Sequence, residues 1–222
     1  MTFYKSISIY FFWAIVIFVI ITKNLFAIGD TTSNKAVKDP SIIMKRINEV
    51  SKSIKSIECE FIQIKHLSYL SENVTSKGAF YYKRENLIRW EYTSPYKYII
   101  AVKKDKFIMK DGETISSFDI KSNELFSELN DIILGCIKSD ILKSETKFKF
   151  SFFETGSVYL IKLTPVAPNI KEIFKSIEIY FNKSNFDLTD LKMIENTGDF
   201  TKIQFINRKY NININEEIFN IK

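Results

Sequence analysis

Gly78-Ala79-Phe80-Tyr81-Tyr82-Lys83-Arg84-Glu85-Asn86-Leu87-Ile88-Arg89-Trp90-Glu91-Tyr92-Thr93-Ser94-Pro95 is the most informative stretch of this 222-residue chain. On either side of Arg84-Glu85-Asn86, apolar and polar residues broadly alternate, and aromatic and β-branched side chains are abundant. That pattern predicts two strands, residues 81–83 and 87–93, joined by a turn. A period of two places Phe80 and Tyr82 on one face of the first strand and Ile88, Trp90 and Tyr92 on one face of the second.

The same alternation continues outward, in residues 60–70 and 96–103, with turn signals at Ser71-Glu72-Asn73, Thr93-Ser94-Pro95, Lys103-Lys104-Asp105 and Lys110-Asp111-Gly112-Glu113. Short strands at such intervals make an antiparallel meander. Strand patterns resume at Phe148, Phe150 and Phe152 and again in residues 159–163, 177–181, 186–194 and 201–207. Two segments have helical periodicity instead. Ile43, Ile47, Val50, Ile54 and Ile57 form one stripe of a helix over residues 40–57, capped by Asp39 or Ser41. Leu125, Leu129, Ile132, Ile133 and Cys136 form another, released near Ser139. The order is helix, five or six strands, helix, about five strands, which is an α+β arrangement rather than an alternating βαβ one.

The beginning of the chain reads as an address. Lys5 precedes residues 7–21, which carry no charge, and Leu25-Phe26-Ala27 offers a small residue for cleavage. Residues 1–27 are therefore expected to be a cleaved signal peptide, 28–38 a flexible lead-in, and 39–222 one domain. The cleavage region contains no cysteine to receive a lipid, since the two cysteines are Cys59 and Cys136. Those two either pair in an oxidising compartment or remain buried thiols, and their spacing does not decide between the two. Removal of residues 1–27 takes the formal charge from +6 to about +4, an excess that favours acidic surfaces, anionic lipid head groups included, and is too small and dispersed for nucleic acid.

Catalytic patterns are missing. His66 is the single histidine, and neither cysteine stands near a second thiol at metal-ligand spacing. The six glycines form no Gly-x-Ser-x-Gly elbow and no phosphate-binding loop. No catalytic residue, metal or cofactor is expected. By contrast, 20 Phe, 11 Tyr and 2 Trp furnish bulky side chains for the interior of a curled sheet. The plain reading of any one of them is a packed core; the alternative is a sheet that leaves its interior unfilled under two amphipathic helices.

Glu60-Phe61-Ile62-Gln63-Ile64-Lys65 resembles the Phe-x-Gln-(x)-Lys strand that follows the first helix in the outer-membrane lipoprotein carrier (LolA) family. The run from Gly78 to Pro95 is similar to that family's signature, with Gly78, Arg84, Asn86, Leu87, Trp90 and Pro95 at its spacing. Asp111-Gly112 resembles its next turn, and the segment from Thr201 to Phe219 its last strands and tail; the likeness is weakest in residues 121–176. The resemblance implies a half-open antiparallel β-barrel of about 10–11 strands covered by lid helices. It implies a monomeric, periplasmic, non-catalytic carrier that shields lipoprotein acyl chains between an inner-membrane lipoprotein-releasing ABC transporter and an outer-membrane receptor. A periplasmic lipid-sensing regulatory module is the alternative use of the same half-barrel. Shielding is needed because a 16-carbon chain costs on the order of 12 kcal/mol to expose to water.

The resemblance also assigns residues. Arg84 falls on the arginine that latches the lid in the closed, empty form through backbone carbonyls, a task suited to a planar guanidinium. Ile88 and Trp90 fall on the family's apolar cavity positions; Tyr92 shares their strand face by period two, Phe80 and Tyr82 share a face of the preceding strand, and Ile133 and Ile137 lie on the lid helix, so all seven are expected to line the acyl-chain cavity. Glu85 stands where the family has proline, a departure expected to loosen the turn after Arg84.

Overall fold

The computed structural model describes residues 34–122 and 124–221; the expected signal segment lies outside them. In chain order come β1 (Lys35–Ala36), α1 (Ser41–Ser53), β2 (Ser56–His66), β3 (Val74–Lys83), β4 (Leu87–Ser94), β5 (Tyr98–Lys103), β6 (Lys106–Asp111) and β7 (Thr114–Asp119). Then follow α2 (Glu124–Lys138), β8 (Phe148–Thr155), β9 (Val158–Pro165), the short α3 (Pro168–Lys171), β10 (Phe174–Asn182), β11 (Leu188–Glu195) and β12 (Phe200–Tyr210). A 3-10 turn, Glu216–Phe219, lies near the end.

All twelve strands belong to one antiparallel sheet, ordered β1-β8-β9-β10-β11-β12-β2-β3-β4-β5-β6-β7. β1 and β7 are its edges and do not pair with each other, so the barrel is half-open. The order determines where the helices lie. β7 ends at one edge and β8 begins beside the other, so the connection between them must cross the open side, and α2 is that crossing. Likewise α1 runs from the β1 edge to β2 in mid-sheet. Among the described residues no helix is long and apolar enough to cross a membrane.

Alternation in the strands separates the two faces. Ile57, Cys59, Phe61 and Gln63 point inward from β2, Phe80 and Tyr82 from β3, and Ile88, Trp90 and Tyr92 from β4. They join Ile43 and Ile47 of α1, Ile132 and Ile137 of α2, and residues of β8–β12 in one core, which requires the sheet to curve around the helices. Gly78 is fixed by this curvature: a Cβ there would lie 2.0 Å from the Glu91 carbonyl oxygen of the neighbouring strand and 2.8 Å from the Phe61 ring, so only glycine fits.

A second, small core lies on the outer face. Leu87 meets Ile214 and Phe219 of the C-terminal segment, which Arg89 also holds by donating from Nη1 to the Ile218 carbonyl at 2.7 Å. Several boundaries differ from the sequence reading: β2 covers Ser56–His66 rather than 60–70, and β3 begins at Val74 rather than Tyr81. α1 stops at Ser53, because Ile57 fits both the helical stripe and the inward alternation 57, 59, 61, and the sheet claims it. Lys35 and Ala36, read as part of the lead-in, pair with Glu154 and Phe153 and supply a twelfth strand. The short α3 was not foreseen.

Candidate functional site

The inward side chains of β2–β4 interlock. Phe61 meets Trp90 and Tyr92 edge-on, each at 4.9 Å between centroids, and Phe80 lies 4.4 Å from Trp90, arrangements that aromatic quadrupoles favour. Tyr92 stacks on Tyr98 at 4.1 Å and donates its hydroxyl to Gln63 Oε1 at 2.9 Å; burial pushes its phenol up to about 12. Against the other edge of the sheet, Phe126 of α2 sits on Phe107 and Phe118, at 5.2 and 4.9 Å.

One crevice beneath the helices, of about 30 Å³, is walled by Ile54, Ile57, Phe80, Ile137, Phe181 and Phe205, with Asp187, Arg208 and Tyr210 also lining it. An apolar space of about 150 Å³ is needed to hold a single benzene, so this crevice admits no fatty chain as it stands. In this conformation curvature brings the rings of neighbouring strands onto one another, and this crevice lies between them and the helices. Cys59 of the sheet and Cys136 of α2 both line the crevice as buried free thiols. Burial pushes the Cys59 thiol up to about 12 and the Cys136 thiol higher still.

Polar ties hold the helices at two places: Glu128 of α2 accepts from Lys147 Nζ at 3.1 and 3.2 Å and from Asn169 Nδ2 at 3.1 Å, and a second group stands at one rim of the interior. Arg84 donates from Nε to the Ile54 carbonyl at 2.9 Å, from Nη2 to the Lys52 carbonyl, and from its backbone N–H to the Lys55 carbonyl at 2.9 Å. These carbonyls belong to the end of α1 and the residues just beyond it, where helix geometry leaves acceptors without partners and a cation is favoured. Lys138, the last residue of α2, donates to Asn86 Oδ1 in the same β3–β4 turn. The two helices join each other through Ser51 and Ser139, whose buried hydroxyls hydrogen-bond, while Ser51 also donates to the Ile47 carbonyl at 2.7 Å. Ser139 ends α2 in the left-handed region, φ 58. The ends of α1 and α2 and the β3–β4 turn are thus bonded pairwise.

The turn itself is built differently from the expectation. Lys83 and Leu87 stay in register across Arg84-Glu85-Asn86, with Glu85 at φ 76 and Asn86 at φ 62. A proline ring holds φ near −65°, so proline does not fit at Glu85 in this turn. Asparagine tolerates the left-handed region well. Glutamate here goes with a different turn conformation that still delivers Arg84 to α1.

The residues singled out from sequence fall into three places. Phe80 lines the apolar crevice, Ile88, Trp90 and Tyr92 are sealed in the interior beside it, and Ile133 is half-buried against the same core. Ile137 borders both the crevice and the rim, and Tyr82 and Arg84 stand at the rim. Sequence reading missed Phe205 in the crevice wall, Phe61 in the aromatic cluster of β2–β4, and Ser51, Ser139 and Lys138 in the ties. Phe61 had a usable signal, since it shares the inward period of its strand; the serine pair had none.

Comparison with known proteins places this architecture. Residues 52–222 match the sequence profile of the family described as outer membrane lipoprotein carrier protein LolA. An outer-membrane lipoprotein carrier protein of Neisseria meningitidis serogroup C is 27% identical over 167 residues, covering 73% of this chain and 72% of that protein. Its namesake in Methylococcus capsulatus is 22% identical over 179 residues, covering 78% and 80%. The crystal structure of MucB superposes with a TM-score of 0.51 at 11% identity, over 84% of this chain and 64% of MucB, a likeness of fold alone. With its half-open sheet, its crossing helices and a family match over three-quarters of its length, the chain belongs to the LolA outer-membrane lipoprotein carrier family.

Proposed function

We propose that the protein is an exported carrier that accepts the acyl chains of lipoproteins under α1 and α2 and moves them through the periplasm from the inner to the outer membrane. Residues 1–27 direct export; an inner-membrane ABC transporter supplies the cargo and an outer-membrane receptor takes it. The protein works by binding and release rather than by catalysis. On this reading the cavity is made when the helices lift, and the closed form is the empty carrier.

The observation that supports this most is the division of labour between interior and rim. The helices rest on an apolar, aromatic interior that makes few directional bonds, and polar ties hold them where Arg84, Lys138, Ser51 and Ser139 meet and, on α2, at Glu128. Apolar contacts are non-directional and can be exchanged for a fatty chain with little loss. Hydrogen bonds at one rim can then set whether the closed or the open arrangement prevails. The purified protein lacking residues 1–27, mixed with energised inner-membrane vesicles carrying a labelled lipoprotein, should release that lipoprotein in soluble form as a one-to-one complex. Label that stays with the vesicles at every carrier concentration would end the proposal.

A further inference from the structure

A second cleft, of about 560 Å³, opens at the rim where the ends of α1 and α2 face the β3–β4 turn. Its chemistry differs from that of the crevice inside. Ile54, Tyr82 and Ile137 give it an apolar wall, and Lys52, Arg84 and Lys138 stand around it as cations. Two carboxylates face it as well. Asp140 is paired with Lys143 at 2.8 Å, which leaves Glu85 as the opposing charge. The carbonyls at the end of α1, which would otherwise repel an anion, are occupied by Arg84. Ser51, Ile54 and Ile137 line both spaces, so these side chains form the partition between an apolar interior and a cationic porch.

We propose that this cleft is a headgroup site for an amphiphile with an anionic oxygen head, a carboxylate or a phosphate, whose chain passes the partition into the interior. The inference rests on the carrier reading above and adds a preference that acyl-chain burial alone does not give. Lysine ammonium groups are compact point charges with three rotatable donors, suited to an anionic head whose position varies with chain length. Lys52 is exposed, and Lys138 is half-buried with a donor committed to Asn86. Each lysine therefore contributes modestly, and together they should favour an anionic head about fivefold over a neutral one.

The test uses three probes with one chain: dodecanoate, dodecyl phosphate and dodecanol, titrated by calorimetry into the purified protein and into the Lys52→Gln, Lys138→Gln double variant. Loosening the Lys138–Asn86 tie shifts affinity for all three alike, so the ratio of anionic to neutral affinity is the readout. The expected result is a roughly fivefold preference for one or both anions in the original protein and a ratio near one in the double variant. The better anion identifies the head, carboxylate or phosphate. Equal affinity for all three probes, or a preference that survives both substitutions, overturns the headgroup site and leaves the carrier reading standing. Failure of every probe to bind overturns both.

Discussion

Replacing Arg84 with leucine removes the side-chain bonds to the Ile54 and Lys52 carbonyls and leaves the backbone bond to Lys55 in place. Hydrogen bonds with a charged donor contribute about 1.5–3 kcal/mol when sheltered, and screening at this exposed residue reduces each to roughly 0.5–1 kcal/mol. The closed form should therefore lose about 1–2 kcal/mol, a factor of roughly 5–30 in the ratio of closed to open protein. Because an acyl chain competes with closure, its apparent affinity should rise, up to that factor, and its release should slow. The empty protein should also melt roughly 2–8 °C lower. Release is followed by moving a fluorescent acyl chain from loaded protein into excess vesicles, with thermal unfolding measured in parallel. Arg84→Lys should give an intermediate result, since one ammonium cannot span two carbonyls as a guanidinium does. Release at the wild-type rate from Arg84→Leu would refute the latch. So would a lower melting temperature with no change in affinity, which would make Arg84 merely a helix cap.

Three further outcomes are expected. Gly78→Ala should cost about 3 kcal/mol or more in urea unfolding, because the new methyl group would collide with the Glu91 carbonyl, which the β3–β4 pairing holds in place. With its thiol pushed up to about 12 by burial, Cys59 should carry about a thousandfold less thiolate at pH 8 than a free cysteine, so alkylation followed by mass spectrometry should find it slow in the empty protein and roughly 5–30 times faster in Arg84→Leu. Phe219→Ala, which empties the fully buried site on the outer face, should cost about 3–5 kcal/mol while acyl-chain affinity stays unchanged, as measured by unfolding and titration.

Sheet topology was readable where one face is buried and the other wet, because slipping the register by one residue would reverse every side chain; β3 and β4 show this most clearly. Leu87-Ile88 carried more information than was used. Two consecutive apolar residues in an alternating strand mean that both faces are covered, and Leu87 is covered by Phe219, 132 positions away. Where two periods agree on one residue, as at Ile57, pattern cannot place the boundary and sheet pairing decides it. The Ser51–Ser139 bond spans 88 positions between two helix ends, and nothing local in either segment announces it. How full the interior is could not be read either, since it depends on curvature, which composition does not encode. Arg84 came from resemblance, and its turn shows the limit of that route: the arginine arrives at the helix although Glu85 occupies a conformation closed to the family's proline.

The crossing helix suggests why such a carrier can both load and unload. If α2 lifts, Ile132, Leu134 and Ile137 lose their buried positions, at about 1.5–3 kcal/mol each, and Cys136, Phe126, Leu129, Ile133 and the polar ties add to this. The total is of the same order as the roughly 12 kcal/mol gained when one 16-carbon chain leaves water. A lid that closed much more tightly would refuse cargo, and one that closed much less tightly would never give it up. The balance depends on α2 using mostly aliphatic side chains, with Phe126 as an aromatic one, so that a fatty chain can take the place of most of them contact for contact. Enlarging the helix's grip should then upset loading before it upsets folding. The rim, where a few hydrogen bonds decide the remaining difference, is where a membrane partner could shift the equilibrium with least effort.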